Sequence, residues 1–348
     1  MSDPRLAPVP QAMLLLAQRQ DLGEELATAV FGAVMRGETS PAQLGALLLG
    51  LRVKGETPEE VAGAARALRD VMLRVEAEDA HLVDTCGTGG GRVTTFNIST
   101  AAAFVAAGAG AAVAKHGNRS FTSQCGSADV LEALGISIEL DAAGAARVLR
   151  EARMTFLFAP TFHPAMRHVG SVRRELGVPS VMNLLGPLAN PAGVKRQVVG
   201  VADGDRAPLM AEALIRLGAE HALVVHARVG MDEIAPVGIT DVWEVQDGTL
   251  TTWELDPAVY GLAVRDGSAL EGGAPAENAA RVERILGNDG ADESGRAAVL
   301  LNAGAAIYVA GLSPTYCDGV QRAQAAVTAG RAGEVLERLR RASPSTSG

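Results

Sequence analysis

Aromatic residues make up only 3% of this 348-residue chain, which leaves little for a base-stacking nucleic-acid surface. The net charge of −9 argues against a general polyanion binder, so no nucleic-acid partner is expected. A small phosphorylated ligand is a different matter, because it needs only a few well-placed cations. Long hydrophobic runs are missing. The longest, Ala101 to Ala114, is interrupted by Gly108 and Gly110 and cannot span a bilayer, so no membrane partner is expected. The opening MSDPRLAPVPQ lacks a basic segment leading into an apolar core, so no secretory signal is expected. Cysteine is scarce. Cys86, Cys125 and Cys317 are odd in number and widely spaced, which fits a reducing cytoplasm better than a disulfide frame or a zinc site. Lysine occurs only at Lys54, Lys115 and Lys195 among 31 basic residues, a compositional habit rather than a functional signal.

What is present divides into two patterns, and the length suffices for two domains. Up to about residue 75 the chain reads as helices only. Apolar residues recur at helical spacing over Ala12–Arg19 and Leu22–Met35. Ser40-Pro41 supplies a cap and a first-turn proline for a helix lined by Leu44, Leu47, Leu48 and Leu51, which Gly55 stops. Thr57 to Glu60 has the spacing of a capping box and opens a helix with Val61, Ala65, Leu68 and Met72 on one face. So apolar a unit must pack on something: the rest of the chain, a second copy of itself, or both.

From His81 short strands alternate with helices. The strands read as His81–Val83, Ala111–Ala114, Ile136–Leu140, Phe156–Ala159, Gln197–Val201 and Ala222–His226. Helices read over Ser127–Leu134, Ala142–Ala152 and Arg206–Leu217, and again over Asn278–Leu286, Glu293–Ala310 and Val320–Ala329. This alternation predicts an α/β fold with a mostly parallel central sheet. Val242–Val245 and Leu250–Trp253, joined through Asp247-Gly248, read as a hairpin. The expected division is a helical domain over 1–75, joined by helices around 165–185, an α/β domain over 76–342, and a disordered tail over 343–348.

Three connections carry chemistry. DTCGTGGGRVTTFNIST, Asp84 to Thr100, places a glycine-rich turn between a strand and a helix start. Glycines let backbone N–H groups close on phosphate oxygens, and the helix start offers unpaired donors. The spacing fits neither a P-loop nor a dinucleotide fingerprint, and the segment taken alone also reads as a plain turn. Lys115 to Ser123 follows the next strand and gathers an ammonium, a guanidinium, an amide and hydroxyls. Lys115 and Arg119 suit phosphate oxygens, and loops after parallel strands share one edge of the sheet. His116, a lone histidine, reads equally as a structural hydrogen-bonder or a catalyst. Gly230 to Glu233 is a third loop after a strand, and its adjacent carboxylates Asp232 and Glu233 suit Mg²⁺, an acid/base pair or a surface turn. Arg173 and Arg174 are open to a helix surface or to a cleft.

Taken together the pieces resemble the anthranilate phosphoribosyltransferase family, over nearly the whole chain to about Leu339. The resemblance rests on GTGG at Gly87–Gly90, NxST at Asn97–Thr100, KHGNR at Lys115–Arg119, the run Gly126–Gly135, LGPLxNP at Leu185–Pro191 and the turn at Gly230–Glu233. It implies a nucleoside phosphorylase/phosphoribosyltransferase-like fold, a homodimer joined through helical domains, and a cytoplasmic enzyme of tryptophan biosynthesis. The reaction implied is transfer of phosphoribosyl from phosphoribosyl pyrophosphate to the amine of anthranilate. The implied phosphoribosyl-pyrophosphate residues are Gly87, Gly90, Gly91, Thr95, Asn97, Ile98, Ser99 and Thr100, the loop Lys115, His116, Gly117, Asn118, Arg119, Ser120, Phe121, Thr122 and Ser123, and Ser127. Gly87, Asn118 and Arg173 would contact anthranilate. Ser99, Asp232 and Glu233 would hold two Mg²⁺ ions. A pyrimidine nucleoside phosphorylase shares the architecture but lacks the KHGNR run. One departure stands out: the family usually has Asp where this chain has Gly91.

Overall fold

Reciprocal caps fix the starts of two of the N-terminal helices. Ser40 Oγ accepts the N–H of Gln43, and the Gln43 side chain accepts the N–H of Ser40. Thr57 and Glu60 repeat the arrangement. In this computed structural model, which describes residues 7–91, 93–120 and 124–344, these caps open the helices Pro41–Lys54 and Pro58–Val71. Pro8–Ala17 and Gly23–Met35 pack with them. Glu60 has no exposed surface, and its carboxylate is satisfied by the N–H of Leu22 at 2.9 Å and by Lys54 Nζ at 3.0 Å.

The sheet has seven strands in the order β3-β2-β1-β4-β5-β6-β7. They are β1 (Leu82–Gly87), β2 (Ala112–Gly117), β3 (Met154–Phe158), β4 (Arg196–Gly200), β5 (His221–Ala227), β6 (Thr240–Gln246) and β7 (Thr249–Leu255). The first five run parallel, and β6 and β7 add an antiparallel edge. The expected hairpin forms through Asp247 and Gly248 with φ of +49° and +78°, the backbone a two-residue turn requires.

Both faces of the sheet are covered, and the strands show it residue by residue. Along β4 and β5, Val198, Leu223 and Val225 join the apolar cluster of Phe104, Leu301 and Leu336, while Val199, Ala222 and Val224 join Phe31, Leu48 and Leu214. The second cluster is where the N-terminal helices lie, and Gly170–Leu176 and Met182–Leu188 join it through Val172, Leu184 and Leu185. No helix among the described residues is long and apolar enough to cross a membrane.

Two expectations need correction. Ile136–Leu140 is not a strand of the sheet. Ile136 and Ile138 are buried at alternate positions, but the segment passes outside the sheet between helices, and only Ile136 forms a bridge, to Pro344. The same contact corrects the tail: Ser343 is buried, its carbonyl accepts the N–H of Ser137, and its hydroxyl donates to the Ser137 carbonyl. Residues 345–348 lie outside the described part. A last helix, Arg331–Ala342, which the sequence reading did not assign, packs Val335, Leu336 and Leu339 into the first cluster.

Candidate active site

β1 neighbours β2 on one side and β4 on the other, and the chain leaves these strands in opposite directions across the sheet. A crevice opens at the carboxyl ends of strands at such a point. Here it is a cleft of ≈ 830 Å³. The glycine loop after β1, the loop after β2 and the turn after β5 all line it, and Arg173, Asn183 and His163 line it too.

The glycine loop turns through Gly89 and Gly90 at φ of +67° and +81°, conformations that favour glycine. It delivers the chain to the helix Ile98–Gly108. The acidic turn reaches across to both. Asp232 Oδ2 accepts the N–H of Gly89 at 3.0 Å. Glu233 Oε1 accepts the N–H of Ser99 at 3.0 Å, and its Oε2 accepts the Thr95 hydroxyl at 2.9 Å. Burial raises the pKa of Asp232; burial, and then Asp232 beside it, push Glu233 up to about 8. Two desolvated carboxylates next to hydroxyl oxygens make a donor set suited to a hard cation. Among the described residues no cluster of three or more His, Cys, Asp or Glu could hold a metal by itself.

Several side chains are aimed differently from expectation. Lys115 lines the cleft but is only 2% exposed, its ammonium donating to the Thr85 carbonyl and, at 3.2 Å, to Ser99 Oγ. Arg119 lines the cleft, yet its guanidinium is taken by Asp129 and Glu132 of the helix Ser127–Ala133. Ile98 is fully buried, its N–H donates to the Phe96 carbonyl, and it does not line the cleft. Thr100 lines the cleft but is buried, its hydroxyl without a partner among the described residues.

The remaining expected residues meet at the cleft. Gly87, Gly90, Gly91, Thr95, Asn97, Ser99, Gly117, Asn118, Ser120 and Ser127 all line it. Phe121, Thr122 and Ser123 lie outside the described residues. Asn118 is braced from both sides: its side-chain oxygen accepts the N–H of Arg119, and its carbonyl accepts the Ser127 hydroxyl.

His116 is paired in a way its motif does not announce. Its Nδ1 meets the Gly186 carbonyl at 3.1 Å, and its Nε2 meets His163 Nε2 at 3.2 Å. Burial lowers both pKa values, His116 to about 3 with His163 contributing, and His163 to about 4. Both rings are neutral near pH 7 and too weak to serve as general bases there. His163 stands alone in its segment, so no local pattern could single it out. Arg173 is the opposite case. It is half-buried in the helix Gly170–Leu176 and lines the cleft, burial lowers its pKa, and no described residue pairs with its guanidinium.

The chain is similar to known proteins over most of its length. The helical bundle domain of a glycosyl transferase family matches residues 10–72, and the a/b domain of that family matches residues 79–333. The anthranilate phosphoribosyltransferase of Herpetosiphon aurantiacus is 48% identical over 95% of this chain and 98% of its own length. That of Myxococcus xanthus is 48% identical over 94% and 97%. Among solved structures, the Thermus thermophilus enzyme superposes with a TM-score of 0.90 at 44% identity, covering 97% of this chain and 99% of that one. The Saccharomyces cerevisiae enzyme, in complex with PRPP and Mg, gives 0.88 at 27% identity over 97% and 98%. On this evidence of sequence and fold along nearly its whole length, the chain belongs to the anthranilate phosphoribosyltransferase family.

Proposed function

We propose that this chain transfers the phosphoribosyl group of 5-phosphoribosyl 1-pyrophosphate to the amine of anthranilate, giving N-(5-phosphoribosyl)anthranilate and pyrophosphate. This is the second step of tryptophan biosynthesis from chorismate. The observation that carries the reading is the make-up of one cleft. It holds a glycine cradle tied to Asp232 and Glu233, and an Arg173 guanidinium that pairs with none of the described residues. The first suits a metal-loaded diphosphate and the second an aromatic acid.

Backbone N–H groups of Gly87 to Gly91, the hydroxyls of Thr95 and Ser99 and the Asn97 amide hold the diphosphate and its sugar. Lys115, largely buried in the cleft wall, fixes Ser99 and adds positive charge beside the site. Ser99, Asp232 and Glu233 hold Mg²⁺, two ions in our reading. When bound, Mg²⁺ neutralises charge that develops on the departing pyrophosphate. Arg173 receives the carboxylate of anthranilate, and Asn118 and the neutral His116–His163 pair shape the wall that orients the ring. An aromatic amine is already neutral at pH 7, so the protein supplies position rather than a strong base, and no covalent intermediate is required.

A homodimer and a cytoplasmic location belong to the same proposal. Leu14, Leu49 and Val53 are 55%, 45% and 64% exposed on the helices Pro8–Ala17 and Pro41–Lys54, which supports pairing through the helical domain. The test is to incubate the protein with both substrates and Mg²⁺ and identify the product by mass. Absence of the phosphoribosyl adduct, with phosphorolysis of uridine or thymidine instead, would assign the cleft to a nucleoside phosphorylase.

A further inference from the structure

We infer that Asn278 is a positioning residue for Asn97, setting which end of the Asn97 amide meets phosphoribosyl pyrophosphate. The inference rests on the proposed role of Asn97 in binding that substrate. Asn97 stands at the start of the helix Ile98–Gly108, where an asparagine ordinarily caps the helix, yet its side chain makes no capping hydrogen bond. It is held sideways instead.

The hold is a short chain of hydrogen bonds anchored on backbone groups at both ends. The N–H of Gly273 donates to Asn278 Oδ1 at 2.8 Å. A backbone N–H can only donate, so that end of the Asn278 amide is its oxygen. Asn278 Nδ2 then donates to Asn97 Oδ1 at 3.0 Å. Cys125 Sγ donates to the same oxygen at 3.3 Å. Asn97 Nδ2 in turn donates to the carbonyl of Cys125 at 3.2 Å, and a carbonyl can only accept. Reversing either amide would set donor against donor or acceptor against acceptor. Asn278 is 3% exposed, so water cannot easily stand in for the missing partner.

The consequence falls on the cleft that Asn97 lines. One of its two amide hydrogens is spent on Cys125, and the other, among the described residues, has no partner and is left for a ligand oxygen. With the amide reversed, Asn97 would present a carbonyl oxygen to a polyanion. Asn278 touches no substrate in this account; it acts only through Asn97, from 181 positions further along the chain.

The test is the variant Asn278→Asp. A carboxylate still accepts from Gly273 but cannot donate to Asn97 Oδ1, and a charge-assisted bond from Asn97 Nδ2 to it outweighs the lost bond to the Cys125 carbonyl, so the Asn97 amide turns over. The KM for phosphoribosyl pyrophosphate rises about tenfold or more, as expected for one reversed hydrogen bond to a charged ligand, while the KM for anthranilate stays put. In an Asn97→Ala background the same change alters that KM by less than about twofold, because the intermediary is gone. An equal rise in both backgrounds would mean that the new charge acts through space, and would overturn the inference. So would a lowered melting temperature with KM unchanged. Asn97→Ala by itself reports on the underlying reading: an unchanged KM there removes the premise, whereas a raised KM with no response to Asn278→Asp removes the inference alone. Should Asn278→Asp fold poorly, Asn278→Ser, which frees the Asn97 amide without forcing it over, gives a smaller rise of the same kind; no rise overturns the inference.

Discussion

The carboxylate of Asp232 accepts the backbone N–H of Gly89 at 3.0 Å. The group expected to hold a metal is thus joined to a donor expected to hold a phosphate, and the two halves of the site brace each other before any ligand arrives. Replacing Asp232 with alanine removes both the brace and a metal ligand. Turnover falls, the KM for phosphoribosyl pyrophosphate and the Mg²⁺ requirement rise by an order of magnitude or more, and the KM for anthranilate changes little. Steady-state kinetics with each substrate and the metal varied in turn check this. A loss confined to anthranilate would contradict it.

Gly91 lies against the same carboxylate. A Cβ there would stand 3.2 Å from Asp232 Oδ1 and 3.2 Å from the Gly230 carbonyl. Gly91→Asp would therefore place a third carboxylate beside Asp232 and Glu233. It adds a ligand for cations and a repulsion for a bare diphosphate. Half-saturation by Mg²⁺ moves to lower concentration, and the KM for phosphoribosyl pyrophosphate at limiting Mg²⁺ rises. Unchanged metal and substrate titrations would show that this position does not bear on either.

Arg173 separates binding from stability. Its guanidinium has no partner among the described residues and is half-buried, so folding gains nothing from its charge. Arg173→Ala raises the KM for anthranilate about tenfold or more, with kcat and the KM for phosphoribosyl pyrophosphate nearly unchanged. The melting temperature holds or rises slightly. Anthranilate kinetics that ignore the substitution would remove the carboxylate assignment.

The His116–His163 pair makes stability depend on acid. Burial holds the folded rings near pKa values of about 3 and about 4, whereas an unfolded histidine titrates near ~6.5. Below ~6.5 the unfolded chain binds protons that the folded chain refuses. Stability therefore falls as pH drops from ~6.5 toward the folded values, by up to ~1.4 kcal/mol per pH unit for each ring. Denaturant melts between pH 7.5 and 5 measure the slope, and His163→Asn flattens it. A slope that survives the substitution unchanged would place the effect on other groups.

Features set by neighbours in sequence were legible without coordinates. The Ser40 and Thr57 caps, the Asp247-Gly248 turn and the glycine loop each depend on a few adjacent residues, so the local pattern suffices. The meeting of three loops was legible too, because parallel strands send their following loops to one edge. The aim of individual cations was not. Arg119 is drawn away by Asp129 and Glu132, and the buried Lys115 ammonium is engaged by Thr85 and Ser99, outcomes that turn on which carboxylate or hydroxyl lies nearest after folding. Ile136 and Ile138 alternate as a strand would, but burial alone gives the same alternation when no neighbouring strand is available. Asn278 and His163 were beyond reach for a simpler reason: each matters through one partner far away in the chain.

The most direct test of the whole account is release of pyrophosphate from phosphoribosyl pyrophosphate by the unmodified protein, followed with and without anthranilate in Mg²⁺ buffer. The account predicts release that needs both anthranilate and Mg²⁺ and that matches anthranilate consumed one for one. Release at the same rate without anthranilate, or none with it, would contradict the account.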